Sequence, residues 1–131
     1  CVNKNLGVSE ETTSFVLPIG ATINMDGTSL YQGVTVVFLA QFFGVDLSFS
    51  QQIMIVGMST LASIGSPAVP SAGLVMLIMV MESVGLNSAW IALVFPIDRI
   101  LDMCRTVVNV TGDATVSSII DYKSGELTST F

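Results

Sequence analysis

Residues 98–113 carry three aspartates (Asp98, Asp102, Asp113), two arginines (Arg99, Arg105) and Asn109 in an otherwise apolar stretch, directly after the apolar run 89–96. Wound as a helix at about 100° per residue, Asp98, Asp102, Arg105, Asn109 and Asp113 fall within roughly an 80° arc, with Thr106 at its edge. Leu101, Val108 and Ile119 lie outside that arc. A helix with one doubly signed polar stripe and apolar flanks is not a solvated surface helix. Its stripe must face protein, water or a bound solute, which limits the fold to one that encloses this helix.

Composition narrows the class. Of 131 residues, 51% are hydrophobic and 11% charged, against a usual charged share of roughly a quarter; mean hydropathy is +0.77. This balance points to a membrane protein. Four basic residues against ten acidic ones exclude a nucleic-acid partner, which needs a basic face. The absence of histidine excludes the usual zinc sites and Ser-His or Cys-His catalysis within this chain. Cys1 and Cys104 are too far apart in sequence to suggest a disulfide framework or metal knuckle. With no initiator Met and no signal-peptide pattern at its start, the chain reads as the C-terminal part of something longer.

Three apolar segments follow one another. After a polar opening, Ser9 followed by Glu10 and Glu11 predicts a capped helix start. Residues 15–43 are apolar and long enough to span a bilayer, but their middle reads Gly20-Ala21-Thr22-Ile23-Asn24-Met25-Asp26-Gly27-Thr28. An aspartate and an asparagine at that depth are costly on a lipid-facing helix. Either a polar turn packs on a neighbour, or the helix is interrupted and its freed carbonyls line a cavity; the second is the expectation. Residues 51–83 are broken at Ser63-Ile64-Gly65-Ser66-Pro67-Ala68-Val69-Pro70-Ser71. Each flank has about 12 or 13 residues, roughly 18–20 Å of helix, too short for a 30 Å core. A re-entrant hairpin is expected, with one proline-kinked spanning helix as the alternative. Lys4 and Lys123 near the two ends favour cytoplasmic termini. Trp90 suits an interfacial anchor, residues 89–120 form the polar-striped transmembrane helix, and 121–131 read as an exposed cytoplasmic tail. The fold class expected is therefore an all-α membrane protein.

The polar groups are chemically complementary. Arg105 offers a planar fork for a carboxylate, Asp102 can hold an ammonium, and Asn109 both donates and accepts. Together they suit a zwitterion with one further carboxylate. Asp26 and Asp113 are hard anionic oxygens near irregular backbone, which is the chemistry of an alkali cation. The plain structural reading is that Asp102 and Arg105, three residues apart, neutralise each other.

Asn24-Met25-Asp26-Gly27-Thr28, the Ser-Ile-Gly…Val-Pro tip and Asp102-x-x-Arg105-Thr106-x-x-Asn109-x-x-x-Asp113 together resemble the glutamate transporter family of dicarboxylate/amino acid:cation symporters, from about Ser9 to Ile120. The resemblance implies that 15–43 correspond to a seventh helix unwound at its centre, 51–83 to a second, gating re-entrant hairpin, and 89–120 to an eighth helix, all in an elevator-type transport domain. It implies substrate contacts at Thr28, Val69, Gly73, Asp102, Arg105, Thr106 and Asn109, with Asp102 on the amino group, Arg105 on the side-chain carboxylate and Asn109 on the α-carboxylate. It implies one sodium site from the carbonyls of Gly20, Asn24 and Asn109 with the Asp113 carboxylate. A second would use the carbonyls of Thr22, Ser63, Ile64 and Ser66. A third would use the side chains of Asn24 and Asp26 with partners outside this chain. Pro67 departs from the family's small residue at the tip. The implied whole is a multi-pass homotrimer in the plasma membrane (the inner membrane of a bacterial cell), in contact with lipid. Its scaffold and its first, serine-rich hairpin would precede this chain.

The function expected is sodium-coupled symport of L-aspartate or L-glutamate, not an enzyme activity. Within the family the alternative is a C4-dicarboxylate or neutral amino acid:cation symporter. Arg105 speaks against a neutral side chain and Asp102 against a substrate without an amino group. An ion channel is a rival, as is an intramembrane aspartyl protease built on Asp26 and Asp113. A protease needs one aspartate able to share a proton, whereas Asn24, Arg105 and Asn109 favour ionised carboxylates.

Overall fold

The computed structural model describes residues 1–67, 69 and 72–125, and these are helical with no strand among them. A short helix α1 (Val2–Leu6) precedes α2 (Glu10–Ile23) and α3 (Asp26–Phe42). Helices α4 (Phe49–Ile64) and α5 (Ala72–Ser83) follow, then two 3-10 turns at Ser88–Leu93 and Phe95–Ile97, then α6 (Asp98–Ser124).

The helix starts are written in local chemistry. Ser9 caps α2, its hydroxyl accepting from the Thr12 N–H at 3.2 Å, with Glu10 and Glu11 in the first turn. Ser48 and Gln51 cap α4 reciprocally, Ser48 Oγ accepting from Gln51 N at 3.3 Å and Gln51 Oε1 from Ser48 N at 3.0 Å.

The apolar stretch 15–43 is interrupted as expected. Asn24 and Met25 leave the helical region, and the last intrahelical bond runs from Asn24 N–H to the Gly20 carbonyl at 2.9 Å. The break leaves helices of 14 and 17 residues, about 21 and 25 Å long at 1.5 Å per residue. Among the described residues no helix is both long and apolar enough to cross a membrane. The interruption shortens α2 and α3, and α6 is long but polar.

The stretch around 51–83 folds back on itself. Gln51, in the first turn of α4, donates through Nε2 to the carbonyl of Val84, just beyond α5, at 3.1 Å. That bond requires α4 and α5 to run antiparallel, so the kinked single helix is set aside. The first arm begins at Phe49 rather than residue 51, because the Ser48 cap sets the start. Gly65, Ser66 and Pro67 form the non-helical tip; Ala68, Pro70 and Ser71 lie outside the described residues. Leu77, Val80 and Met81 of α5 meet Val36, Leu39 and Ala40 of α3 and Ile55 of α4 in one apolar core.

Two expectations are corrected. The third helix starts at Asp98, not residue 89, and the run 89–97 is wound as 3-10 turns. Pro96 has no N–H to continue an α-helical ladder, and its ring crowds the preceding turn. Trp90 in that turn is half-buried and stacks on Phe43, ring centroids 4.1 Å apart. Residue 121 does not open an exposed tail either: α6 continues to Ser124, and Asp121 is fully buried. Continuing the helical spacing from Asp113 through Ser117 puts Asp121 on the inward face. Residues 126–131 lie outside the described residues.

Candidate functional site

Helix α6 is inverted relative to a helix in water. Its buried residues are Asp98, Arg105, Asp113, Ser117 and Asp121, while Ile100, Met103, Val107, Val110 and Ile119 are exposed. The inward polar face meets the interrupted region of α2 and α3 and the hairpin tip around a cavity of about 320 Å³. All seven residues of the implied substrate set line it: Thr28, Val69, Gly73, Asp102, Arg105, Thr106 and Asn109. Four of the implied cation residues, Gly20, Ser66, Asn109 and Asp113, line it too.

Arg105 is the pivot. The residue is 7% exposed; its guanidinium pairs through Nη2 with Asp102 one turn earlier, while Nη1 is buried without a protein acceptor among the described residues. The plain reading of Asp102 and Arg105 as a neutralising pair thus holds for one half of the fork. Glycine makes room for the rest: a Cβ on Gly73 would overlap Nη1, so α5 lies against the guanidinium only because this position is bare. On the other side the Tyr31 ring faces the guanidinium, 5.0 Å from Cζ to the centroid, and the Tyr31 hydroxyl donates to Asp98 Oδ1 at 3.0 Å. Tyr31 was not legible as part of the site. It lies in the second turn of α3, and no sequence signal marks it, because its contacts are set by packing between helices. Asp98 belongs to this supporting network and does not line the cavity.

Asn109 joins α6 to the start of α3. Its Oδ1 accepts from the Gly27 N–H at 2.8 Å, and its Nδ2 donates to Thr28 Oγ1 at 3.2 Å. A Cβ on Gly27 would come within 2.5 Å of the Arg105 carbonyl. One side chain therefore satisfies an orphan amide of the α3 N-terminus and orients the Thr28 hydroxyl beside the cavity. Thr106 donates to the Asp102 carbonyl at 2.8 Å, leaving its lone pairs free.

Asp113 is 8% exposed and accepts from Asn24 Nδ2 at 2.9 Å. A Cβ on Gly20 would overlap its carboxylate, so the last turn of α2 presents bare backbone to this charge. The side chains of Asn24 and Asp26 both lie over Gly112: a Cβ there would be 3.2 Å from Asn24 Nδ2 and from Asp26 Oδ2. Thr22 is exposed with its hydroxyl on the Ile19 carbonyl, Ile64 is exposed, and Ser63 is buried with its hydroxyl on the Thr60 carbonyl. Of this second implied cation set, only Ser66 reaches the cavity.

At the far end of α6, Asp121 closes the assembly. Ser9 donates to it twice, from Oγ at 2.6 Å and from the backbone N–H at 3.2 Å. The Ser9 hydroxyl holds this carboxyl below its usual pKa, with further bonds from Thr12 and the Ser9 backbone outweighing burial.

The cavity thus combines a half-free guanidinium, a carboxylate beside it and a second carboxylate against bare backbone. Residues 1–123 match the model of the sodium:dicarboxylate symporter family. The chain is 49% identical over 124 residues to an excitatory amino acid transporter of Onchocerca volvulus and to one of Caenorhabditis elegans, covering 95% of this chain and 25% of each of those proteins. It is 45% identical to human excitatory amino acid transporter 2, over 95% of this chain and 22% of that protein. The chain spans about a quarter of the length of these curated relatives. They are transporters, not enzymes, which sets the protease reading aside. On the match across almost its whole length, this chain belongs to the sodium:dicarboxylate symporter family.

Proposed function

We propose that the protein containing this chain is a sodium-coupled symporter of acidic amino acids, aspartate or glutamate, and that the chain supplies the hairpin and α6 side of its binding site. The observation that carries this reading is Arg105: nearly buried, engaged to Asp102 by Nη2, with Nη1 unpartnered beside a cavity of about 320 Å³. A carboxylate is the ligand that matches a planar guanidinium donor, and a charge-assisted bond in a partly desolvated site is strong. Asp102 then accepts the substrate ammonium, and Thr28, Thr106 and Asn109 supply hydroxyl and amide groups around the α-carboxylate. Val69 and Gly73 form the hairpin side.

Sodium is a co-substrate in this reading. Asp113 with the carbonyls of Gly20, Asn24 and Asn109 is the first cation set. The carbonyls of Thr22, Ser63, Ile64 and Ser66 are the second. The side chains of Asn24 and Asp26 contribute to a third. A cation on Asp113 competes with the Asn24 amide for the same carboxylate. Because Asn109 belongs to both the substrate and cation sets, binding of the two is linked, and each raises the other's affinity by the same factor.

The units follow the same scheme: an interrupted transmembrane unit over 15–43, a gating hairpin over 51–83, a transmembrane unit over 89–120 and a cytoplasmic segment beyond it, in the moving domain of a plasma-membrane homotrimer working as an elevator. The test is uptake of labelled aspartate and glutamate by the full-length protein in proteoliposomes across a sodium gradient. Saturable uptake that collapses without sodium is expected. A substrate affinity unchanged over a hundredfold range of sodium would remove the coupling. Equal competition by succinate would point instead to a C4-dicarboxylate, and equal competition by serine to a neutral amino acid.

A further inference from the structure

The interface between α3 and α4 changes character along its length. Near the hairpin base, Val36, Leu39 and Ala40 of α3 face Ile55 of α4 in the apolar core. Toward the tip both faces turn polar. The buried residues of α4 run Ile55, Ser59, Ser63 at successive four-residue steps, and those of α3 run back from Val36 to Thr35, Gln32 and Thr28. The two rows are in register: Ser29 Oγ lies 3.5 Å from Thr60 Oγ1, and a Cβ on Gly33 would be 3.8 Å from Ser59 Oγ.

Most hydroxyls on this seam are accounted for. Thr60 donates to the Val56 carbonyl and Ser63 to the Thr60 carbonyl. Gln32 and Ser59 differ. Gln32 is 0% exposed and Ser59 1% exposed, and neither Gln32 Nε2, Gln32 Oε1 nor Ser59 Oγ has a hydrogen-bond partner in the protein. Buried polar side chains are nearly always bonded to protein or to ordered water, and an amide with both ends unbonded is the more demanding case because it offers two donors and an acceptor.

We propose that the tip half of the α3–α4 seam is an internal water site, with water bonded to the Gln32 amide and the Ser59 hydroxyl. Water is the occupant because the site presents both donors and acceptors, which a cation or an anion alone cannot satisfy, and because internal water characteristically makes two to four such bonds. Gly33 stands opposite Ser59, where a Cβ would already be in van der Waals contact with the hydroxyl, so no larger side chain covers Ser59 on that side. The seam also has a source of solvent: Thr28, one turn from Gln32, and Ser66, one turn from Ser63, both line the polar cavity. The hairpin arm α4 is accordingly joined to α3 by dry packing at its base and by exchangeable water bonds near its tip. None of this depends on what the cavity carries.

The experiment has two arms on the full-length protein. A density map of the unmodified protein, at a resolution that shows ordered solvent, should contain a peak within hydrogen-bond distance of both the Gln32 amide and Ser59 Oγ; an empty seam, or Gln32 bonded directly to Ser59, overturns the proposal. Thermal unfolding of Gln32→Met and Ser59→Ala supplies the sign. If water satisfies these groups, each variant lowers Tm, and the double variant lowers it by less than the sum because both share one solvent network. If the groups are dry and unsatisfied, Gln32→Met raises Tm, since an apolar side chain of similar shape removes an unpaired buried amide; that result refutes the site.

Discussion

Helices α5 and α6 both pack against α3, but they bury opposite kinds of surface. From α5 come Leu74, Leu77, Val80 and Met81; from α6 come Asp98, Arg105, Asp113, Ser117 and Asp121. Burial of the first kind is non-directional and follows the apolar area removed from water. Burial of the second kind holds only while each charge keeps a partner, and that partner can be exchanged for a solute. The contact made by these four residues of α5 is therefore indifferent to ligands, while the α6 contact can be rewritten by them. The proposed function uses both: a base that stays packed and a face whose bonding changes with what is bound.

The strongest way to break the polar half is Arg105→Ala. Loss of a charge-assisted partner that leaves the other charge buried costs about 2–5 kcal/mol. Affinity for aspartate or glutamate should accordingly fall by roughly 30- to several-thousand-fold. Small neutral amino acids, which still meet Asp102 and Asn109, should lose much less. Competition assays on the full-length protein measure the difference. Equal loss for both classes would show that Arg105 serves only as counter-ion to Asp102.

The matching test of the apolar half is Leu77→Ala. Removing a fully buried leucine should destabilise by about 2–5 kcal/mol, lowering Tm while substrate selectivity and the sodium midpoint stay put. A shift in selectivity would mean that the two contacts are not separable.

Asp113→Asn sharpens the division between fold and function. The amide keeps the shape beside Gly20 but loses the charge. The sodium midpoint in a thermal-shift titration should rise about tenfold or more, about 1.4 kcal/mol for each factor of ten, with little change in sodium-free Tm. An unchanged midpoint would take Asp113 out of the cation site.

The smallest effect is expected where α2 meets the end of α6. Ser9→Ala removes the cap of α2, a loss of about 0.5–2 kcal/mol. It also removes the main group holding the Asp121 pKa down. A carboxyl depressed in the folded state stabilises the fold above its unfolded value of about 3.9 and loses that contribution as pH falls through the folded pKa. Tm measured from neutral pH down to about 3 should show a shallower acid decline in Ser9→Ala than in the unmodified protein. Parallel curves would assign the acid limb to other carboxylates.

What the sequence made legible divides along the same line. The interruption at Asn24–Met25 could be read because polar residues and glycine are conspicuous in an apolar run, and the hairpin because its arms are too short to span. The convergence of the α6 stripe followed from helical spacing. Partner choice was not legible. Nothing in the spacing of Tyr31 assigns its ring to Arg105 and its hydroxyl to Asp98, or Asn109 to the Gly27 amide, because these are contacts between helices set by packing. The buried Asp121 was hidden for another reason: beside Tyr122 and Lys123 it has the composition of a tail, and only its partner Ser9, 112 residues away, reveals it as interior.

The Ser9–Asp121 contact also bears on the timing of assembly. Domains emerge from the ribosome in order, at about 5–20 residues per second. The N-terminus of α2, the bare backbone at Gly20 and the unwound start of α3 all find their partners on α6, which is synthesised after both and after the hairpin. Until α6 arrives, the Gly27 amide and the buried face of α2 lack their native contacts, and the cavity has no wall. Long-range closure of this kind is slow because loop entropy opposes it before any contact rewards it. A ribosome stalled before residue 98 would therefore carry a formed hairpin base but no binding site. Any quality control that acts on unpaired polar groups would meet this chain in that interval.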